Sequence, residues 1–286
     1  MSRLLIAGAG GMTGSELSQQ ARNTEWDLVA LTRSDLDITD PDAVSAAVSA
    51  AKPDVVINAA AYTAVDNAER NAEAAMSVNR DGAAYLARAA ASAGAAVIHI
   101  STDYVFDGRA SRPYAPGDET RPLSVYGETK LAGENRVREC NANHIIIRTS
   151  WVYHHSGSNF MRTMIRLGSE QRELRVVDDQ SGGPTSAADL ASALLHAAKA
   201  ATLGASSCGT FHFSNAGVTT WYGFAKAIFE ERGGEMPAIT PIATRDFPTA
   251  AARPSYSVLD TSSFSSRFGV KPRHWRDALR SVMERM

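Results

Sequence analysis

The stretch Arg3-Leu4-Leu5-Ile6-Ala7-Gly8-Ala9-Gly10-Gly11-Met12-Thr13-Gly14 opens the chain, and Ser15-Glu16-Leu17-Ser18-Gln19-Gln20-Ala21 continues it. Its first five residues form a short apolar run, the character of a parallel strand buried on both faces. The run breaks on glycines and is followed by a helical pattern. Gly8, Gly11 and Gly14 give the spacing G-x-x-G-x-x-G. Gly8 turns the chain tightly, Gly11 lets the backbone approach a pyrophosphate, and Gly14 lets the helix pack against the strand. A plain strand-to-helix turn is the competing reading. The complete strand, glycine loop and helix favour a nucleotide site.

The same rhythm continues outward. Leu28–Leu31 reads as a second strand, Asp54–Asn58 as a third, Ala95–Ile100 as a fourth and Asn143–Arg148 as a fifth, with helical segments between them. This alternation predicts an α/β fold with a Rossmann-type doubly wound parallel sheet. Residues 1–149 are expected to form the nucleotide-binding domain, with about 174–205 returning to it. The 150–286 half is expected to form mainly a smaller α+β substrate-binding domain. Thr32-Arg33-Ser34 stands at the end of the second strand, where an acid often binds the adenosine ribose. A guanidinium flanked by hydroxyls suits a 2′-phosphate, so NADPH is expected, with NADH the alternative. The other reading of Arg33 is a solvated loop residue. The carboxylates of Asp35, Asp37 and Asp40 could approach the adenine amine or cap the helix that starts at Pro41.

Ligands of an open parallel sheet gather at the carboxyl ends of its strands. Ala59-Ala60-Ala61-Tyr62-Thr63 and Ser101-Thr102-Asp103-Tyr104 stand at two such ends. Just downstream, Tyr126 and Lys130 are spaced to share one helix face. An ammonium beside a phenol favours the phenolate, so Lys130 is expected to make Tyr126 a usable proton donor and acceptor. Thr102, at such a strand end, would hydrogen-bond a substrate oxygen beside Tyr126. Tyr222 and Lys226 repeat the spacing without such a threonine or a nucleotide loop, and are read as a packing aromatic and a surface lysine.

A formal net charge of −2 over 286 residues gives no electrostatic case for nucleic acid or an anionic membrane. Cys140 and Cys208 lack metal-ligand spacing and suit a reducing cytoplasm. The adjacent pair His154-His155 is not expected to converge on an ion, so no metal site is assigned. Neither a signal peptide nor a membrane span is read. In the second half, Trp151 could wall a sugar pocket or simply pack, and Arg253 could bind a substrate phosphate or form an ion pair.

The ordered set Gly8-x-x-Gly11-x-x-Gly14, Asn58–Asp66, Ser101–Gly108, Pro122–Lys130, Arg148–Tyr153, Asp179–Thr185 and Ala252-Arg253-Pro254 resembles the extended short-chain dehydrogenase/reductase family. Within it, the set resembles the dTDP-4-dehydrorhamnose reductases, over nearly the whole chain. The resemblance implies reduction at C4 of dTDP-4-dehydro-β-L-rhamnose by NAD(P)H. It makes Tyr126 the general acid, Lys130 the residue holding the nicotinamide ribose, and Thr102 the residue orienting the keto oxygen. Asp103, Tyr104 and Trp151 would border the sugar, and Gly11, Met12 and Thr13 would meet the pyrophosphate. Asp37 and Ile38 would lie near adenine, and Ala60, Ala61, Tyr62 and Thr63 along the ribose and nicotinamide.

Two departures from the family pattern stand out. Thr32 and Arg33 replace the acidic strand end of NADH-using members. Ala188 replaces a glutamate that in some relatives belongs to a magnesium-assisted dimer, so magnesium is left open and a monomer or weak homodimer is expected. A sugar-nucleotide epimerase or dehydratase is the second enzymatic reading; Tyr104, in place of an acid after Asp103, argues against the dehydratase. A non-catalytic nucleotide-binding regulatory subunit is the third.

Overall fold

The apolar run at the start of the chain becomes the inner strand of a parallel sheet. In this computed structural model, which describes residues 2–203, 208–234 and 236–286, β1 (Arg3–Ala7) pairs with β2 (Asp27–Leu31) on one side and β3 (Val55–Asn58) on the other. β4 (Ala96–Thr102), β5 (His144–Thr149) and a final strand, Gly209–His212, extend the sheet beyond β3. All these pairings are parallel. The chain therefore winds outward in both directions from β1, and a crevice opens at the strand ends between β1 and β3.

Both faces of the sheet are covered, which is why its strands read as unbroken apolar runs. Leu4, Ile6, Val55 and Ile57 pack with Leu17 of α1 (Met12–Ala21) and with Leu190 and Leu194 of the Ala187–Ala201 helix. Leu5, Val56, Val97 and Ile146 point the other way, toward Val44 and Val48 of α2 (Pro41–Ala51) and Leu86. Asp40 caps α2 by accepting from the N–H groups of Asp42 and Ala43, with Pro41 in the first turn. Asp37 instead accepts from the backbone and hydroxyl of Thr39, at 2.9 and 2.8 Å. Of the two roles left open for the acids of this segment, capping therefore falls to Asp40.

The second half differs in part from expectation. The strand Glu173–Val177 does not rejoin the main sheet; it pairs with Ala238–Ile242. The return expected for 174–205 thus begins only with the 187–201 helix, which lies on α1, and residues 204–205 fall outside the described residues. The Gly209–His212 strand, expected in the substrate half, is the edge of the nucleotide sheet instead. Its Phe211 packs against the cluster formed under the 187–201 helix, and that burial holds it there. A separate core around Tyr153, Met161, Phe224, Phe229 and Trp275 organises the remaining elements.

Candidate active site

Gly8 adopts φ +84°, and a Cβ there would lie 2.5 Å from the backbone nitrogen of Ala60. A Cβ on Gly14 would lie 2.1 Å from the Gly8 carbonyl oxygen. Neither position tolerates a side chain, so the loop is pressed between the ends of β1 and β3. A Cβ on Gly11 would meet only the Gly8 carbonyl, at 3.5 Å. Gly11 also starts α1 without a side-chain cap, leaving the first-turn N–H groups to face an anion. This cradle fits a dinucleotide pyrophosphate.

Gly11, Met12 and Thr13 form one wall of a cleft of about 420 Å³, and Ala60, Ala61 and Thr63 form its floor. Asn79 fixes that floor: it accepts from the Tyr62 N–H at 2.8 Å and donates to the Tyr62 carbonyl at 3.1 Å and to Thr129 at 2.9 Å. Tyr62 therefore contributes a clamped backbone beside the cleft. Thr32, Arg33 and Asp37 lie at and beyond the end of β2, and Ile38 is buried beneath Gly82. Thr32 donates its N–H and hydroxyl to Asp35, at 2.9 and 2.6 Å.

Thr102, Asp103, Tyr104, Tyr126, Lys130 and Trp151 all line this same cleft. The helix Val125–Cys140 begins with Ser124, whose hydroxyl accepts from the Gly127 N–H. A Cβ on Gly127 would lie 2.3 Å from the Tyr104 carbonyl oxygen, so the helix start rests on the turn that follows β4. This contact brings Tyr126 to Thr102 and edge-on to Tyr104, with ring centroids 5.7 Å apart.

The electrostatics differ from expectation. Burial pushes the Tyr126 phenol up to about 12; the Thr102 hydroxyl offsets this in part, and the Asp103 charge adds to it. Lys130 does not bring the phenol down to its ordinary value; its Nζ donates to the Ile100 carbonyl at 2.6 Å and lies 3.4 Å from His99 Nε2. Burial pushes Lys130 itself down to about 8, against the pull of Glu134. Tyr126 is thus a fully protonated phenol at neutral pH, the state a proton donor needs. Burial also drives the Asp103 carboxyl up to about 7, with Ser257 and Thr102 pulling the other way.

Trp151 carries φ +47°, a strained conformation for so bulky a residue. Its indole is stacked on Trp221, which also lines the cleft and is held by a 3.1 Å bond from Nε1 to Gln180. Arg253 takes the ion-pair reading, reaching both carboxylate oxygens of Asp66 at 3.1 and 2.7 Å. His154 and His155 do converge, contrary to expectation: both face Glu16, at 2.8 and 3.6 Å, because the loop they begin folds back onto α1. Arg285 meets the same carboxylate oxygen at 2.6 Å, so a guanidinium already balances that charge. The Tyr222–Lys226 pair is a packing aromatic beneath an exposed lysine, with Nζ 5.8 Å from the ring centre.

Sequence reasoning missed Asn79 and Trp221. Neither carries a local signal; each acts through a partner from a distant segment.

Residues 2–286 match the family described as the RmlD substrate binding domain. The dTDP-4-dehydrorhamnose reductase of Aggregatibacter actinomycetemcomitans is 43% identical, over 99% of this chain and 98% of its own. A crystal structure of a Clostridium acetobutylicum dTDP-4-dehydrorhamnose reductase superposes with a TM-score of 0.94 at 42% identity, covering 99% of this chain and 98% of that one. The Bacillus anthracis enzyme of the same name, solved in complex with NADP, gives a TM-score of 0.93 at 36% identity, covering 100% of this chain and 99% of its own. On this match of sequence and fold, the chain belongs to the dTDP-4-dehydrorhamnose reductase family.

Proposed function

We propose that this cleft reduces the C4 keto group of dTDP-4-dehydro-β-L-rhamnose to the alcohol of dTDP-β-L-rhamnose. The observation that carries the reading is a protonated phenol, Tyr126, meeting Thr102 in one cleft with the glycine cradle. When bound, NADPH supplies the hydride to the carbonyl carbon. Gly11, Met12 and Thr13 would hold its pyrophosphate, Ala60, Ala61 and Thr63 would line its ribose and nicotinamide end, and Thr32 and Arg33 would meet the 2′-phosphate. Lys130 would hold the nicotinamide ribose. Thr102 orients the ketone oxygen, and Tyr126 delivers its phenolic proton to that oxygen as negative charge develops there. The Lys130 ammonium supports the phenolate that remains. Trp151, Tyr104 and Asp103 would enclose the sugar, while Arg253, paired with Asp66, is assigned no ligand contact.

The same reading takes the chain as a cytoplasmic monomer or weak homodimer and leaves magnesium open, with Ala188 at the position of the glutamate found in some relatives. The test is NADPH oxidation with dTDP-4-dehydrorhamnose. Tyr126→Phe should lower kcat by about 10²–10⁴-fold while leaving NADPH affinity intact. Turnover undiminished in that variant overturns the reading.

A further inference from the structure

Beneath the cleft lies a buried row of side chains that the reaction as written does not use. Asn58 and His99 are cross-strand partners on β3 and β4, and both are buried. Asn58 Oδ1 accepts from the Ala60 N–H at 3.1 Å, which fixes the amide with its NH₂ toward His99 Nδ1, 3.2 Å away. An amide NH₂ only donates, so Nδ1 must hold a lone pair and the ring hydrogen must sit on Nε2. Nε2 faces Lys130 Nζ at 3.4 Å. The ammonium therefore meets a donor where it needs an acceptor, and among the described residues its close acceptor is the Ile100 carbonyl, at 2.6 Å.

We propose that His99 is a positioning residue for Lys130: locked by Asn58 with its hydrogen on Nε2, it turns the Lys130 hydrogens toward Ile100 and the cleft and weights the side chain toward the neutral amine. This rests on the reductase reading for its consequence, since loss of the ammonium removes the charge that supports the Tyr126 phenolate. Activity should then fall on the alkaline side as Lys130, not Tyr126, loses its proton. Burial is the main cause of the depressed Lys130, and the strongly depressed His99 beside it stays neutral. The charged groups around the pair do not add to the Lys130 depression. Glu134, on the same helix, favours the ammonium, and Arg138 acts on His99. Asp103, at the end of β4, acts on Tyr126. Asn58 and Asn79, from the two other packed segments, carry no charge.

The experiment is NMR of the full chain labelled in histidine ring nitrogens and lysine Cε, alongside the pH dependence of kcat/KM. In the unmodified protein, His99 should show the Nε2–H tautomer; an Nδ1–H tautomer overturns the proposal. His99→Gln can turn its carbonyl to Nζ, and the Lys130 midpoint should rise by about one unit, a tenfold change in the amine-to-ammonium ratio. The alkaline limb of kcat/KM should move with it. An unmoved midpoint in folded His99→Gln overturns the proposal. Should that variant not fold, Asn58→Asp decides, because a carboxylate accepts from Nδ1–H and must switch the tautomer and raise the midpoint. The tautomer and midpoint need no substrate. Failure of the reductase reading would appear separately, as absent turnover with both intact.

Discussion

Trp151 and Trp221 stack with ring centroids 3.5 Å apart and planes 6° from parallel. Trp221 begins the Trp221–Arg232 helix of the second core, whereas Trp151 follows the end of β5. The stack therefore ties the sugar side of the cleft to the nucleotide sheet, and it holds Trp151 in its left-handed backbone conformation. Gly182 makes this arrangement possible, since a Cβ there would lie 2.5 Å from Trp151 Cε2. Gly182→Ala should push the indole aside at a cost of about 1–3 kcal/mol in stability. Displacement of a substrate-positioning wall by about 1 Å should lower kcat/KM on the order of 10²-fold. NADPH affinity, measured by fluorescence titration, should stay unchanged.

Arg33 offers a direct test of cofactor choice. It is exposed just beyond the end of β2, one residue after Thr32. A guanidinium-to-phosphate hydrogen bond contributes about 1.5–3 kcal/mol. Arg33→Ser should therefore cut kcat/KM for NADPH by about tenfold or more while leaving NADH nearly untouched. Equal losses with both cofactors would remove Arg33 from the 2′-phosphate site.

Arg33 and Trp151 differ in how much of their setting is local in the sequence. Arg33 belongs to a strand, loop and helix pattern compressed into a few residues, and β1 to β5 announce themselves because burial on both faces demands continuous apolar runs. The 187–201 helix is legible for a similar reason, its apolar stripe being local. Partner choice is not local. Leu174-Arg175-Val176-Val177 reads simply as a further strand, and packing of Leu174 and Val176 against Phe224, Phe229 and Ile239 sends it to Ala238–Ile242 instead of the main sheet. Trp221 and Asn79 act across the fold in the same way. The Tyr126 and Lys130 ionisation was misjudged because spacing gives proximity but not burial, and burial dominates both groups.

Below the cleft, Arg148 donates twice to Glu134, both at 2.8 Å, and Ser101 donates to the same carboxylate at 2.6 Å. Burial opposes the Glu134 charge, but Arg148, Ser101 and Arg138 outweigh it and hold the carboxyl below its ordinary range. Its folded value thus lies below its unfolded one. The stabilisation is complete at neutral pH and is lost as pH falls below the ordinary carboxylate range. Arg148→Met leaves a buried charge short of its main partner and should cost about 3–5 kcal/mol by urea denaturation at pH 7. The penalty should shrink toward pH 4.

Asp103 gives the opposite sign. It is 2% exposed, its Oδ2 has no hydrogen-bond partner of good geometry, and burial lifts its carboxyl to about 7. The folded chain then binds more protons than the unfolded chain between the ordinary aspartate value of 3.8 and about 7. Stability falls as pH rises through that window, and above it the buried carboxylate costs on the order of a few kcal/mol. Asp103→Asn removes the charge, keeps an acceptor for the Thr102 hydroxyl, and places an amide NH₂ where Oδ2 lacked a partner. It should raise the melting temperature at pH 8 and leave it nearly unchanged at pH 4. Activity should fall through a higher KM for the sugar nucleotide, since the group borders that end of the cleft. Melting curves that shift equally at both pH values would show that the charge at Asp103 is not what strains the fold.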